Sequence, residues 1–166
     1  MPRAGLVLLG LWLGLVLASW AMASASFRTA DRVMGPAGSP ELASRLAPVA
    51  AEDRRMVLRH LASELNRWMF GAFGLAQAAL ALLVLALAWP SGGTQRSLLL
   101  AAAALVALQL LAARSIVDLG RSIDFVPRPL PGEIARRFGL LHAAYVLSDM
   151  AKAALLLAAA WLARRA

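Results

Sequence analysis

Four long apolar segments restrict this chain more than any other feature of its sequence. They cover residues 5–23, 69–89, 97–116 and 138–162. A helix of about 20 residues rises about 30 Å, which is the thickness of the hydrocarbon core of a bilayer. Each segment is therefore long enough to cross a membrane, and short links make the last three antiparallel neighbours. The pattern predicts an all-α fold, an integral membrane four-helix bundle in which residues 1–166 form a single membrane domain.

The amino-acid composition agrees with lipid as the main solvent. Hydrophobic residues make up 61% of the 166 residues, and the 16% that are charged are too few to cover the surface of a soluble domain. The absence of cysteine excludes disulfides, thiolate metal sites and cysteine nucleophiles. Only one of the 17 basic residues is lysine, and Ala and Leu are abundant. We therefore expect a GC-rich bacterial genome and a place in the bacterial inner (cytoplasmic) membrane.

The net charge of +8 comes from arginines beside the apolar segments. Such residues set topology and contact anionic headgroups, and without interleaved aromatic residues they do not predict nucleic-acid binding. The first and third loops carry Arg28, Arg32, Arg45, Arg54, Arg55, Arg59, Arg67, Arg121, Arg128, Arg136 and Arg137, and the other side carries Arg3, Arg96, Arg164 and Arg165. This asymmetry predicts that loops one and three are cytoplasmic, although the signal-like first segment favours the reverse orientation.

The polar range 24–68 separates the first two spans. Glycines and prolines are expected to make residues 24–40 a loop or short helices; they are Gly35, Pro36, Gly38 and Pro40. Ser39 before Pro40 indicates a helix start, with serine as the cap. After Pro48, an amphipathic helical extension is expected to pass without a break into the second span.

The remaining links are short. Pro90-Ser91-Gly92-Gly93 ends the second helix. The third helix is expected to continue beyond the membrane through Arg121, and Pro127, Pro129 and Pro131 then predict an extended link.

The first apolar segment permits two interpretations. Gly10 and Gly14 have the GxxxG spacing that lets another membrane helix approach closely, which predicts a retained helix with a packing face. The alternative is a cleaved signal peptide, with Arg3 in its basic region and Ala21-Met22-Ala23 as an A-x-A cleavage site. We expect this first helix to be a glycine-faced, separable anchor that contributes no polar residue, only glycines, to any polar layer inside the membrane.

Polar residues inside the predicted spans indicate a layer near the centre of the membrane. Asp149 and Lys152 lie one turn apart in the last helix. A single charge there costs about 2.5–3.5 kcal/mol, so the two are expected to neutralise each other. Gln77 and Gln109 fall at a similar depth in the second and third helices. We predict an intramembrane polar layer of Gln77, Gln109, Asp149 and Lys152 that joins these three helices.

His142 and Tyr145 extend the polar stripe of the last helix, because they precede Asp149 by seven and four residues. A structural role is favoured for the stripe, since buried polar groups specify how membrane helices pair. A proton or ion relay is the alternative. Such pathways usually need several carboxylates or a broken helix, and the last three spans contain neither.

The two histidines raise a separate hypothesis about ligands. His60 and Glu64 are four residues apart and can face one ligand, while His142 is expected toward the same membrane face. Because imidazole ligates both haem and metals, His60, Glu64 and His142 form a candidate site for either. A complete metal site needs further ligands, and the favoured prediction is neither cofactor nor metal.

Three stretches of the chain stand out together: Ser63–Arg67, Leu119–Phe125, and Phe138–Leu141 followed by His142. They resemble small bacterial four-helix membrane proteins of a domain-of-unknown-function family allied to eukaryotic transmembrane protein 205. The resemblance covers residues 25–163 in layout. It implies a four-helix membrane fold with polar marks at Glu64, Asn66 and His142, and it implies no activity. The pair of Asp149 and Lys152 is not part of the family pattern.

Catalytic motifs are missing: the chain has no GxSxG elbow, P-loop, HExxH or dinucleotide fingerprint. We therefore expect a non-enzymatic protein. Its small size and glycine face favour an accessory or structural subunit that packs against other membrane subunits, or against its own copies, in a larger bilayer complex such as an electron-transfer or photosynthetic one. The alternative is a small transporter or ion-conducting oligomer that uses Asp149 and Lys152.

Overall fold

The computed structural model describes residues 1–35, 38–90, 93–126 and 129–165. Within them the chain forms α1 (Arg3–Met34), α2 (Pro40–Leu46), α3 (Ala51–Ala88), α4 (Gly93–Ser122) and α5 (Gly132–Arg165). The predicted all-α four-helix architecture is confirmed, since α1, α3, α4 and α5 are each long and apolar enough to cross a membrane. Such a chain is a multi-pass membrane protein. The predictions made for Pro36, Ser91, Gly92 and Pro127 lie outside the described residues.

The four long helices form one bundle. α1 packs against α3 and α5, and α4 packs against the same two helices from the other side. Each long helix places a fully buried side chain in the shared core: Trp12 of α1, Val84 of α3, Leu99 of α4 and Leu156 of α5. The first helix is thus a wall of the bundle, and the prediction that it is a separable anchor was wrong.

The first helix is also longer than its apolar segment. α1 continues to Met34, so the expectation of a loop or short helices was wrong for residues 24–34, which contain no glycine or proline to end the helix. Ala30 is buried, and the Asn66 side-chain amide donates a 2.7 Å hydrogen bond to Ser26 Oγ. α1 and α3 therefore stay side by side beyond the membrane boundary. Cleavage near residue 23 would remove the Trp12 side of the core.

The later helix boundaries agree with the predictions. Ser39 caps α2, accepting a 3.4 Å hydrogen bond from the Leu42 backbone N–H. α3 runs unbroken from Ala51 to Ala88, so the amphipathic extension and the second span are one helix. α4 extends past the apolar segment to Ser122.

Glycines occupy two different environments in the bundle. A Cβ on Gly74 of α3 would lie 2.8 Å from the Leu110 side chain of α4, so this glycine permits the close approach of α3 and α4. Gly10 and Gly14 are exposed, and a Cβ on either would meet no atom within 4 Å among the described residues. The GxxxG face of α1 therefore points out of the bundle.

Candidate functional site

A cluster of polar side chains lies inside the bundle, at the middle of the span predicted over 138–162. We call it the membrane-centre cluster; it consists of Trp20, Gln109, Ser148, Asp149 and Lys152. α1, α4 and α5 each contribute to it. Because lipid offers no hydrogen bonds, its polar groups depend on one another for partners.

An ion pair forms the core of this cluster. Lys152 Nζ lies 2.6 Å from Asp149 Oδ1 and donates a second hydrogen bond of 2.6 Å to Gln109 Oε1. The Lys152 side chain is 0% exposed and that of Asp149 is 6% exposed. The structure thus brings together three of the four residues predicted for the polar layer.

Gln109 connects α4 to α5 through both ends of its amide. Its Oε1 accepts from Lys152, while its Nε2 lies 2.7 Å from Ser148 Oγ and 2.8 Å from Asp149 Oδ1. The Ser148 hydroxyl in turn donates to the Tyr145 carbonyl at 2.7 Å. A side-chain amide in this position satisfies the cation and the anion at once, which makes a charged pair tolerable in a low-dielectric interior.

The first helix also takes part in this cluster. Trp20 Nε1 donates a 3.1 Å hydrogen bond to Asp149 Oδ2, the carboxylate oxygen that Lys152 leaves free. The expectation that helix 1 offers only glycines to the layer was therefore wrong. The available signal was the indole N–H, a donor that usually finds a partner when a tryptophan is buried.

Gln77 does not join the cluster. It is buried in α3, at 4% exposure, but its Oε1 has no hydrogen-bond partner among the described residues. The prediction that Gln77 shares the layer was right about its burial and wrong about its contacts. The residues of other helices that bond Asp149 come from α1 and α4. Both of these helices pack against α5.

A second polar cluster lies outside the apolar segments, where α3 and the end of α4 meet. We call it the loop-face cluster; it consists of His60, Glu64, Arg67, Arg121 and Asp124. The Arg67 guanidinium holds Asp124 with two hydrogen bonds, of 2.8 Å from Nη1 and 2.6 Å from Nη2. Both side chains are at most 10% exposed. A bidentate pair of this kind fixes the end of α4 against α3.

The remaining members of the loop-face cluster surround this pair. His60 Nδ1 lies 2.9 Å from Asp124 Oδ2, and Arg67 also bonds Glu64. Arg121 Nε reaches the same Glu64 carboxylate at 3.5 Å. A Cβ on Gly120 would lie 3.3 Å from Arg67 Nη2, so a glycine there leaves room for the guanidinium.

The charges of the loop-face cluster lower the pKa of its two carboxyl groups. Burial alone would raise the pKa of the Asp124 carboxyl, but hydrogen bonds from Arg67 and His60 hold that pKa below its ordinary value. The hydrogen bond from Arg67, helped by Arg121, likewise lowers the pKa of Glu64. Both carboxylates are therefore ionised near neutral pH and act as acceptors.

The predicted ligand set is rearranged in the structure. Ligand atoms of His60, Glu64 and Asp124 lie within 4.8 Å of one another, so Asp124 stands where His142 was expected. The Arg67 guanidinium bonds both carboxylates and supplies the positive charge that a metal would bring. The geometry of these described residues thus suits an internal ion-pair network better than a metal centre.

His142 lies apart from this group. Its ring stacks on Phe138, with centroids 6.1 Å apart, and its side chain is exposed at the start of the last span. With Tyr145 and Phe70 it borders a small cavity of about 30 Å³ between α3, α4 and α5. Tyr145 packs edge-on against Phe70 at 5.5 Å. The stripe predicted on α5 is therefore divided: His142 is exposed, and Asp149 is buried.

Two of the three stretches that carried the family resemblance meet in the loop-face cluster, since Glu64 and Arg67 come from the first and Arg121 and Asp124 from the second. Asn66, the third polar residue of the first stretch, bonds Ser26 of α1. Comparison with known proteins adds nothing to this picture: no protein-family model, curated sequence or solved structure matches the chain.

Proposed function

We propose that the chain is a non-enzymatic accessory subunit that packs, through the glycine face of α1, against a transmembrane helix of another subunit in a larger bilayer complex. The observation that carries this proposal is the position of Gly10 and Gly14. They have GxxxG spacing and point outward, although no described residue comes close enough to require a glycine at either place. In lipid, small residues on an outer face favour close approach of a second helix. The hydrophobic effect does not drive helices together there, and dispersion contacts between closely packed helices stabilise the pair instead.

The membrane-centre cluster supports a structural interpretation of the bundle. Asp149 accepts bonds from Lys152, Gln109 and Trp20, so its two oxygens are both occupied. A satisfied network of this kind fixes which helices pair and at what depth. It would hold α1 in a defined rotation and keep its glycine face outward.

We also propose that the chain lies in the bacterial inner membrane, with the α1–α3 and α4–α5 links in the cytoplasm. This proposal rests on the excess of arginines on that side of the sequence. The same side of the protein carries the loop-face cluster and the short helix α2. This polar surface would offer a partner a second contact beside the membrane. The family resemblance stays a prediction.

A matched pair of variants tests the proposal. The double substitution Gly10→Leu/Gly14→Leu fills the α1 face, whereas Gly71→Leu adds one leucine to an equally open position on the outer face of α3. The full chain is purified from its native membrane in mild detergent, and co-purifying proteins are identified by mass spectrometry. We expect wild type and Gly71→Leu to retain the same partner and the α1 variant to lose it.

Three results would refute the proposal. A wild-type protein that is monomeric with no partner contradicts an accessory role. Equal partner retention by the α1 variant excludes the Gly10 and Gly14 face as the contact. A complex that contains only copies of this chain would identify an oligomer instead of an accessory subunit.

A second candidate function is the movement of protons or small ions through the bundle. The small cavity of about 30 Å³ favours it, because the polar side chains of His142 and Tyr145 border it between the membrane boundary and Asp149. Carboxylate, lysine and histidine on one helix are the groups that relay protons in membranes.

Flux measurements separate the two candidates. The full chain is reconstituted in liposomes with a pH-sensitive dye inside, and wild type is compared with Asp149→Asn/Lys152→Met. A transporter requires flux in wild type and its loss in the variant. Flux that survives neutralisation of both residues, or no flux above protein-free liposomes, removes this candidate.

A further inference from the structure

A groove between α4 and α5 lies on the loop side of the bundle, at the membrane boundary. Its volume is about 410 Å³, within the range of about 300–1,000 Å³ that is usual for ligand sites. Its lining consists of Ser115 from α4 and of Glu133, Arg136, Arg137, Leu140 and Leu141 from α5. The apolar segments end near 116 in α4 and begin near 138 in α5. The polar lining therefore stands at headgroup depth, and the leucines lie one helical turn further into the membrane.

The charges of the groove are unequal. Glu133 and Arg136 neutralise each other through hydrogen bonds of 2.8 Å and 3.2 Å. Arg137 forms no ion pair or hydrogen bond with any other residue that the structure describes. It lies in the second turn of α5, whose N-terminal end adds partial positive charge from its unpaired backbone N–H groups. One uncompensated guanidinium thus faces an open groove with a hydroxyl across it.

We propose that this groove binds the phosphate of an anionic phospholipid. Arg137 and the Ser115 hydroxyl hold the phosphate oxygens, and Leu140 and Leu141 contact the start of the acyl chains. Guanidinium groups bind phosphate through short, charge-assisted hydrogen bonds, and basic pockets between membrane helices are known places for acidic headgroups. The leucines decide between two sources of the same chemistry, because free phosphate has no apolar part to place on them.

Lipid selectivity of the full chain tests this proposal. The protein in detergent is mixed with equal amounts of phosphatidylglycerol and phosphatidylcholine, and bound lipids are counted by native mass spectrometry. We expect wild type to retain phosphatidylglycerol in preference. Arg137→Gln removes one charged hydrogen-bond donor group and should lower that affinity about tenfold. The control is Arg55→Gln, which makes the same charge change at an exposed loop-side position of α3 outside the groove and should leave affinity unchanged.

A variant with the opposite sign makes the test sharper. Glu133→Gln removes the carboxylate and frees Arg136, so phosphatidylglycerol should bind more tightly than in wild type. All these side chains are exposed, and folding is not at risk. The proposal is overturned if Arg137→Gln and Arg55→Gln behave alike, if Glu133→Gln weakens binding, or if the two lipids bind equally. It is also overturned if inorganic phosphate alone displaces phosphatidylglycerol at similar concentration, since the site would then recognise a free anion.

Discussion

The membrane-centre cluster and the loop-face cluster solve the same chemical problem in different solvents. Each holds a carboxylate and a cation between helices, the pair Asp149 and Lys152 in one and Asp124 and Arg67 in the other. The first pair is completed by uncharged donors from Gln109 and Trp20, whereas the second is surrounded by further charges. In lipid, each additional charge would need another opposite charge to neutralise it. Outside the membrane, water and counter-ions reduce this need.

This difference predicts how the clusters respond to damage. A group that loses its partner at the membrane centre has no water to replace that partner. The free energy of unfolding therefore falls by the full cost of leaving the group without a hydrogen bond. A group that loses its partner at the loop face can turn toward water. Equivalent substitutions should therefore be more destabilising in the first cluster than in the second.

The largest effect is expected from breaking the buried pair on one side only. Asp149→Asn and Lys152→Met each leave one uncompensated charge at the bundle centre, and each should lower the free energy of unfolding by about 3–5 kcal/mol. Unfolding by sodium dodecyl sulfate in mixed micelles, followed by circular dichroism, measures this. A loss of less than about 1 kcal/mol for either variant would contradict burial in lipid.

A smaller effect is expected at the loop face. Asp124→Asn removes a bidentate partner of Arg67, which still keeps Glu64, so the same unfolding measurement should show a loss of about 1.5–3 kcal/mol. Arg45→Gln is the control, because it breaks only an exposed pair with Glu41 on α2 and should change little. If Asp124→Asn were as harmful as Asp149→Asn, the distinction between the two solvents would be wrong.

The two glutamines give a comparison within the membrane. Gln109→Leu removes bonds to Asp149 and Lys152 and should lower stability by about 1–2 kcal/mol. Gln77→Leu removes a buried Oε1 that has no partner among the described residues, so it should be neutral or stabilising. The paired unfolding curves decide the point: a destabilised Gln77→Leu would mean that Gln77 makes a bond of its own.

The smallest effect is a pH dependence confined to the loop face. The folded-state pKa of Asp124 lies below its ordinary value of 3.8, so its contribution to stability is complete above that value and is lost as pH falls through the folded pKa. The stability difference between wild type and Asp124→Asn should therefore shrink on going from about pH 6 to about pH 3. A difference that stays constant over this range would show that the carboxylate charge contributes nothing.

Much of the fold could be predicted from the sequence because lipid imposes a simple rule on length and polarity. The second, third and fourth spans follow from it, and so does the unbroken passage of α3 into the membrane. The end of α1 could not be predicted in the same way. Residues 24–34 are polar enough to suggest a loop, but their helix is stabilised by packing on α3 through Ser26 and Ala30.

The candidate sites were harder to predict, because each depends on contacts between distant residues. Counting residues along the spans predicted that Gln109 lies close to Asp149 and Lys152. The depth of a residue does not determine how its helix is rotated about its own axis, and Gln77 faces elsewhere. Trp20 was overlooked because its bulk is apolar while its one donor is polar. Asp124 lies in the link after α4, and nothing in its local sequence indicates that it reaches His60 and Arg67.

The double variant Asp149→Asn/Lys152→Met tests most directly the claim that the membrane-centre cluster holds α1, α4 and α5 together as a neutral, satisfied unit. Both charges are then absent, while the asparagine side chain that replaces Asp149 keeps a carbonyl oxygen within reach of Trp20 and Gln109. The account predicts an unfolding free energy within about 1–2 kcal/mol of wild type, far better than either single variant. A double variant that loses as much as the two single variants added together would contradict it, because the charges would then not be compensating each other.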